Sequence, residues 1–199
     1  MTMRAAERAE SAGEPSDALR AEIERLRAAL GQAEARISEL EQRADIDPLL
    51  EILNRRAFVR ELARSIAYLD RYGGAVALVY LDLDGFKAIN DCHGHGAGDQ
   101  LLKAAAAALT GAVRASDVVA RLGGDELAVL LWNVGEVQAQ AKALDLEAAV
   151  NQASVCHDGA LLSVTASAGT AAVAPGRTPE EVIEAADRAM YARKAARRA

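Results

Sequence analysis

Cysteine is nearly absent from this chain: Cys92 and Cys156 are the only two, and neither stands at a framework spacing. A disulfide scaffold is thereby excluded, and a reducing compartment is the economical expectation. Excess basic charge is lacking as well. A net charge of −6 provides no electrostatic footprint for DNA or RNA, so any nucleotide partner should be small and held locally. Long apolar runs are missing too. Stretches such as Ala75 to Leu81 fall far short of the ~20 residues that span a bilayer, and Met1 to Ser16 has no signal-peptide core. Together these absences predict a soluble, cytoplasmic protein with no membrane or nucleic-acid partner. With 51% hydrophobic residues among 199, the chain can bury the core of one ordinary domain and carry an appendage.

Residues 1 to 16 are polar and alanine-rich, end in "GEPS", and read as a disordered lead-in. From 17 to 46 the pattern is a heptad repeat, with Ile23, Leu30 and Ile37 at a and Leu26, Ala33 and Leu40 at d. Glu22 at g would face Arg27 at e of a parallel partner, and Arg36 at g would face Glu41 at e, so a parallel homodimeric coil is preferred to an arm lying on its own domain. Gly31 weakens the helix at an outer position, and a coil this short is marginal alone.

The third segment, 47 to 199, mixes strands and helices without strict alternation. After "DIDP", Leu49 to Asp70 carries a helical pattern, and Ala75 to Leu81 is a continuous apolar run suited to a central strand covered on both faces. Gln100 to Val113 and Glu136 to Asn151 read as helices, Asp158-Gly159 as a hairpin turn, and Ser163 to Val173 as a strand. Thr178-Pro179-Glu180-Glu181 is a capping box opening a last helix whose Val182, Ile183, Ala186 and Met190 share a face. The expected class is α+β with a central, mainly antiparallel sheet.

Two stretches carry chemistry. "YLDLDGFKAINDCHGHGAGDQ", Tyr80 to Gln100, ends the apolar strand with Asp82 and Asp84 on one face, either as solvated turn formers or as ligands of a hard cation. "ARLGGDELAVLLW", Ala120 to Trp132, is a hairpin with Gly123, Gly124, Asp125 and Glu126 at its tip. Brought together, these acids would repel one another unless a cation such as Mg²⁺ sat among them, leaving positions open to phosphate oxygens. The Asp84-Gly85-Phe86-Lys87 turn could add backbone N–H groups for an anion. Cys92, His93 and His95 have no second cluster at zinc spacing, "GHGAGD" does not match a dinucleotide loop, and Trp132 and Met190 read as core residues.

Taken together, "LDLDGFKAINDCHGHGAGD", "RLGGDEL" and "ADRAMYARK" resemble the GGDEF family of diguanylate cyclases from about Asp45 onward, with motif order and spacing intact. The resemblance implies a palm-like domain in which two GTP molecules, one per protomer, condense to cyclic di-GMP with release of two pyrophosphates. It implies Mg²⁺ (or Mn²⁺) on Asp82, the Leu83 carbonyl and Asp125, with Glu126 as the second acid of the catalytic motif. Asn90 and Asp99 match the guanine readers. Phe86 and Lys87 match the phosphate turn, and Lys194 and Arg198 the basic groups that neutralise the triphosphate. Gly123 and Gly124 would let the backbone approach the nucleotide. "RASD", Arg114 to Asp117, matches an inhibitory site for the product, its blander reading being a solvated helix end. The chain departs from the family pattern at Leu50 and Glu51, where Thr and Gly are usual, at Leu127 for Phe, and at Arg197 for Gly. A non-catalytic receptor for cyclic di-GMP is the alternative function.

Overall fold

The computed structural model describes residues 14–43 and 45–198, in two units divided after Ala44. The described part of the first unit is a single helix, α1 (Glu14–Arg43), with Pro15 tolerated in its first turn. The expected lead-in therefore lies outside the described residues except for 14 to 16, which belong to this helix. Leu19, Ile23, Leu26, Leu30 and Leu40 are all exposed along α1.

The second unit runs, in chain order, β1 (Leu53–Asn54), α2 (Arg55–Tyr72), β2 (Val76–Asp84), α3 (Phe86–His93), α4 (His95–Ala112), β3 (Val118–Gly123), β4 (Glu126–Trp132), α5 (Glu136–Gln152), β5 (Ser154–His157), β6 (Ala160–Ser163), β7 (Thr165–Val173) and α6 (Pro179–Arg198). Five strands form one sheet in the order β1-β3-β4-β2-β7, antiparallel except for the β1–β3 pair, and β5 with β6 makes a separate hairpin. The α+β class with a mainly antiparallel sheet is what the motif pattern predicted. Among the described residues no helix is long and apolar enough to cross a membrane.

Alternation along β2 explains the layering. Val79, Leu81 and Leu83 join Leu127, Val129 and Leu131 of β4 beneath α4 and α5, where Leu101, Leu109 and Leu146 are fully buried. Val76, Leu78 and Tyr80 join Ala128 and Leu130 on the other face, beneath Phe58 and Leu62 of α2 and Val182, Ala186 and Met190 of α6. Each such buried leucine contributes roughly 1.5–3 kcal/mol of transfer free energy, so burial on both faces holds β2 at the centre. Edge strand β7 is closed by side chains: Asn151 accepts from Ala166 N (2.9 Å) and buried Glu147, one turn earlier on α5, from Ala168 N (2.7 Å).

Three expectations are corrected. Residues 49–54 are not helical: the Asp47 carboxylate accepts from Leu49 N and Leu50 N, Glu51 takes a positive φ of 57°, and Asn54 caps α2 through Ala57 N. Side-chain competition for backbone N–H groups thus outweighs the apolar periodicity there. Helix α4 begins at His95 rather than Gln100, immediately after Gly94 reverses the chain at φ 81°. The strand expected over Ser163 to Val173 is divided between β6 and β7, with buried Val164 as the break. The hairpin turn at Asp158-Gly159 forms as expected, with φ of 49° and 80°. So does the capping box, in which Thr178 Oγ1 accepts from Glu181 N (3.3 Å) and Glu181 Oε2 from Thr178 N (2.9 Å).

Helix α6 crosses β7 at Gly169, where an added Cβ would lie 2.0 Å from Met190 N and 2.3 Å from Ala186 O. Neither backbone atom can give way locally. Gly169→Ala should therefore lower stability by about 3 kcal/mol in urea denaturation, an overpacking cost that a merely permissive glycine would not show.

Candidate active site

The functional residues gather where β2 leaves the sheet. Asp82 stands opposite Glu126 of β4 and Ser167 of β7 in register, and the hairpin turn reaches the same strand end through a hydrogen bond from Leu83 N to Asp125 O (3.3 Å). The juxtaposition of Asp82 with the Asp125-Glu126 turn is thus a product of antiparallel pairing. The backbone bulges between Arg121 and Gly123, and Gly124 takes φ 43°, which favours glycine there. A Cβ on Gly124 would meet nothing, and one on Gly123 only Glu126 Oε2 at 3.6 Å, so the outer side of the turn is open to a ligand.

Charge at this end is organised by Lys194 of α6. Its ammonium donates to Asp82 Oδ1 and to Asp84 Oδ1 (2.9 Å), with the lysine side chain 17% exposed and the carboxylates 22% and 23%. Burial alone pulls the Lys194 pKa down, but the hydrogen bonds and charges of Asp82 and Asp84 outweigh it and hold the group above its ordinary value. Asp84 is further fixed by Ser167 Oγ (2.8 Å) and Thr165 Oγ1 (3.4 Å), both donating to Oδ2. Next to Lys194, Arg193 donates to Glu147 (3.3 Å).

The two acids of the turn differ. Glu126 pairs with Tyr80, whose phenol is pushed far above its usual range by burial and by the hydrogen bond and charge of Glu126. Tyr80 therefore stays neutral and donates. Among the described residues the Asp125 carboxylate meets no donor. The turn itself is braced by Arg121, which donates from Nε (3.0 Å) and Nη2 (2.8 Å) to Gly124 O and pairs with Asp47 at 3.3 Å. Among the described residues no three Asp, Glu, His or Cys side chains converge as a cation cage would require. A cation held here would take one or two carboxylates and draw its remaining oxygens from a bound phosphate, as Mg²⁺ does.

Gly98 lets Asn90 of α3 pack against α4, where Asp99 is the next residue. Asn90 Oδ1 is buried and has no hydrogen-bond partner among the described residues. An orphaned acceptor costs about 1–3 kcal/mol, a cost that a ligand's N–H donors would relieve. Asp99 and Lys87 are exposed. The ring of Phe86 is buried in the core, so of the phosphate turn read at Phe86 and Lys87 it offers its backbone N–H, at the N-terminal turn of α3. The side chain of Arg198 lies outside the described residues.

Arg114 and Asp117 lie elsewhere. They line a cavity of about 250 Å³ with Gln138, Lys142 and Asp145 of α5. Both Asp117 oxygens take backbone donors, Oδ2 from Arg114 N (3.0 Å) and Oδ1 from Trp132 N (3.1 Å). Trp132 ends β4, six residues from Glu126, which puts this cavity roughly 20 Å from the turn. Cys92 and Cys156 are free thiols.

Comparison with known proteins bears on this arrangement directly. A family model described as "Diguanylate cyclase, GGDEF domain" matches residues 44–199. The chain belongs to the GGDEF family of diguanylate cyclases. It is 40% identical over 196 residues to diguanylate cyclase DgcP of Pseudomonas aeruginosa, covering 96% of this chain and 29% of that protein. It is 35% identical over 175 residues to the cyclic di-GMP phosphodiesterase NbdA of the same organism, covering 87% of this chain and 22% of that protein. It thus spans less than a third of either relative's length. Among solved structures, the coiled coil and GGDEF domain of DgcB from Caulobacter crescentus in complex with c-di-GMP matches with a TM-score of 0.72 at 27% identity, covering 89% of this chain and 95% of that one.

Sequence reasoning missed Ser167, Tyr80, Arg121, Asp47 and Glu147 as parts of this GGDEF site or its supports. Asp84 was read with Asp82 as a turn former or cation ligand, but not as a partner of Lys194. The Gly98 contact gives a direct test: a Cβ there would come 2.0 Å from Asn90 Oδ1 and 3.0 Å from Phe86 Cζ. Gly98→Ala should cost about 2 kcal/mol of unfolding free energy, and most of that loss should disappear when Asn90→Ala is added, as a double-mutant cycle would show.

Proposed function

We propose that this chain is a homodimeric diguanylate cyclase that condenses two GTP molecules into cyclic di-GMP. Each 3′-hydroxyl attacks the α-phosphorus of the other nucleotide. The new 3′-O–P bond replaces the bond to the β-phosphate oxygen, pyrophosphate leaves, and the hydroxyl proton passes to a base or solvent. The observation that carries this reading is the meeting of Asp82, the open Asp125-Glu126 turn and Lys194 at one strand end, with the orphaned Asn90 acceptor on the helix that follows.

Mg²⁺ or Mn²⁺ fits the donor set, since Asp82, Asp125 and the Leu83 carbonyl are hard oxygens that leave the rest of the shell to water or to phosphates. Such an ion would neutralise charge on the reacting phosphates. The protein's own part is positional. Asn90 and Asp99 accept from the guanine N1–H and exocyclic amine, a donor pair adenine lacks, so ATP would leave them unpaired. The backbone N–H groups at the start of α3, with Lys87, Lys194 and Arg198, meet phosphate oxygens. Glu126, oriented by Tyr80, is placed beside the attacking hydroxyl.

One such domain provides half a site. The exposed leucines and isoleucine of α1 support pairing with a second copy through a parallel coil, which would raise the effective concentration of one half-site for the other. Arg114 and Asp117, in their cavity away from the turn, are assigned to product inhibition, and the domain to the cytoplasm, where its substrate would be GTP.

With GTP and Mg²⁺, the purified chain should yield cyclic di-GMP and pyrophosphate by chromatography. Asp125→Ala should lower turnover at least about 100-fold while leaving the melting temperature within a few degrees, because its side chain makes no hydrogen bond or ion pair among the described residues. Activity near that of the parent would remove Asp125 from the metal site. Arg114→Ala should raise the product concentration needed for half-inhibition about tenfold or more. An unchanged inhibition curve would end the feedback assignment.

A further inference from the structure

We propose that Asp84 is a positioning residue: it is the permanent seat of Lys194, and Lys194 holds a cation's place on Asp82 until a divalent ion arrives. The inference rests on the metal reading above and extends it to a residue with no role there. Its basis is an asymmetry between two carboxylates that share one ammonium.

Asp84 is held from two sides. Ser167, 1% exposed, and Thr165 both donate to Oδ2, which orients the carboxylate and leaves Oδ1 for Lys194 at 2.9 Å. Asp82 has only Lys194: among the described residues no other donor reaches its carboxylate. Two acids at i and i+2 on one strand face stand about 7 Å apart and repel, so the ammonium between them stabilises the strand end in the absence of any ion. A divalent ion that takes Asp82 must displace Lys194 from it. With Asp84 in place, the lysine gives up one of two partners and keeps an anchor, and the N–H it withdraws from Asp82 is free to meet an anionic oxygen. Without Asp84, the lysine would lose its whole compensation on release and would therefore hold Asp82 against the ion. Next to it, the Arg193–Glu147 pair holds the same turn of α6, limiting how far Lys194 can retreat.

The test is binding of Mn²⁺ alone to the nucleotide-free full chain, followed by the paramagnetic signal of the free ion, in a double-mutant cycle of Asp84→Asn and Lys194→Met. Loss of the Asp84 charge weakens Mn²⁺ binding in either background by direct Coulomb attraction. The seat role adds a further loss, of about fivefold or more, seen only where Lys194 is present. Ser167→Ala, which changes no charge, should weaken Mn²⁺ binding about two- to threefold with Lys194 and not at all in the Lys194→Met background. It also carries the test if Asp84→Asn fails to fold. Equal losses in the two backgrounds would overturn the proposal, since Asp84 would then act through its charge alone. Asp82→Asn separates the two levels of inference: it should weaken Mn²⁺ binding at least tenfold. If it does not, the metal reading fails and this inference falls with it. If it does while the cycle is additive, only the Asp84 proposal fails.

Discussion

A buried strand that ends in two acids on one face sets the central constraint on this molecule. Strand β2 is covered on both sides, so its last residues emerge into a partly desolvated place where the side chains of Asp82 and Asp84 share one face and call for a counter-charge. Lys194 supplies it from the opposite end of the domain sequence. The ion pair thereby couples the position of α6 to the strand end. Gly169 does the same mechanically, since α6 approaches β7 closely enough to exclude a Cβ. Close packing and charge compensation place one lysine beside two carboxylates at the end of the sheet.

The signature turn is built to a different rule. Its glycines allow a bulge and a positive φ, and Arg121 fixes the Gly124 carbonyl while Asp47 fixes Arg121. Asp47 also caps the loop before β1, so one carboxylate organises the start of the domain and braces the turn. This connection bears on the departures at Leu50 and Glu51. Glu51 takes φ 57°, a conformation suited to the glycine usual there, and the loop that pays this strain is the one that holds Arg121. Leu127, in the place of the usual Phe, is wholly buried and acts in the core alone.

Much of the fold was legible because local rules and tertiary demands agree. The apolar run of β2, the glycine turns, the capping box at Thr178 and the apolar face of α6 each have one economical meaning. The reading failed where a side chain outbid the pattern. Asp47 and Asn54 captured backbone N–H groups that the periodicity of Leu49 to Leu53 would have placed in a helix. The motif likewise did not specify that the Phe86 ring goes to the core.

By itself the sequence determined the family, the order of elements, and which residue types were available for a cation, a purine edge and phosphates, because those depend on local periodicity and motif spacing. Tertiary structure alone decided what those residues meet. That Asp84 and Asp82 share Lys194, that Glu126 pairs with Tyr80, that Asn90 packs against Gly98, and that Asp117 accepts from Trp132 N are facts of how elements pack together. Spacing specifies where a side chain starts and which face it takes. Its partners are selected by how sheet and helices pack, and no local pattern records that.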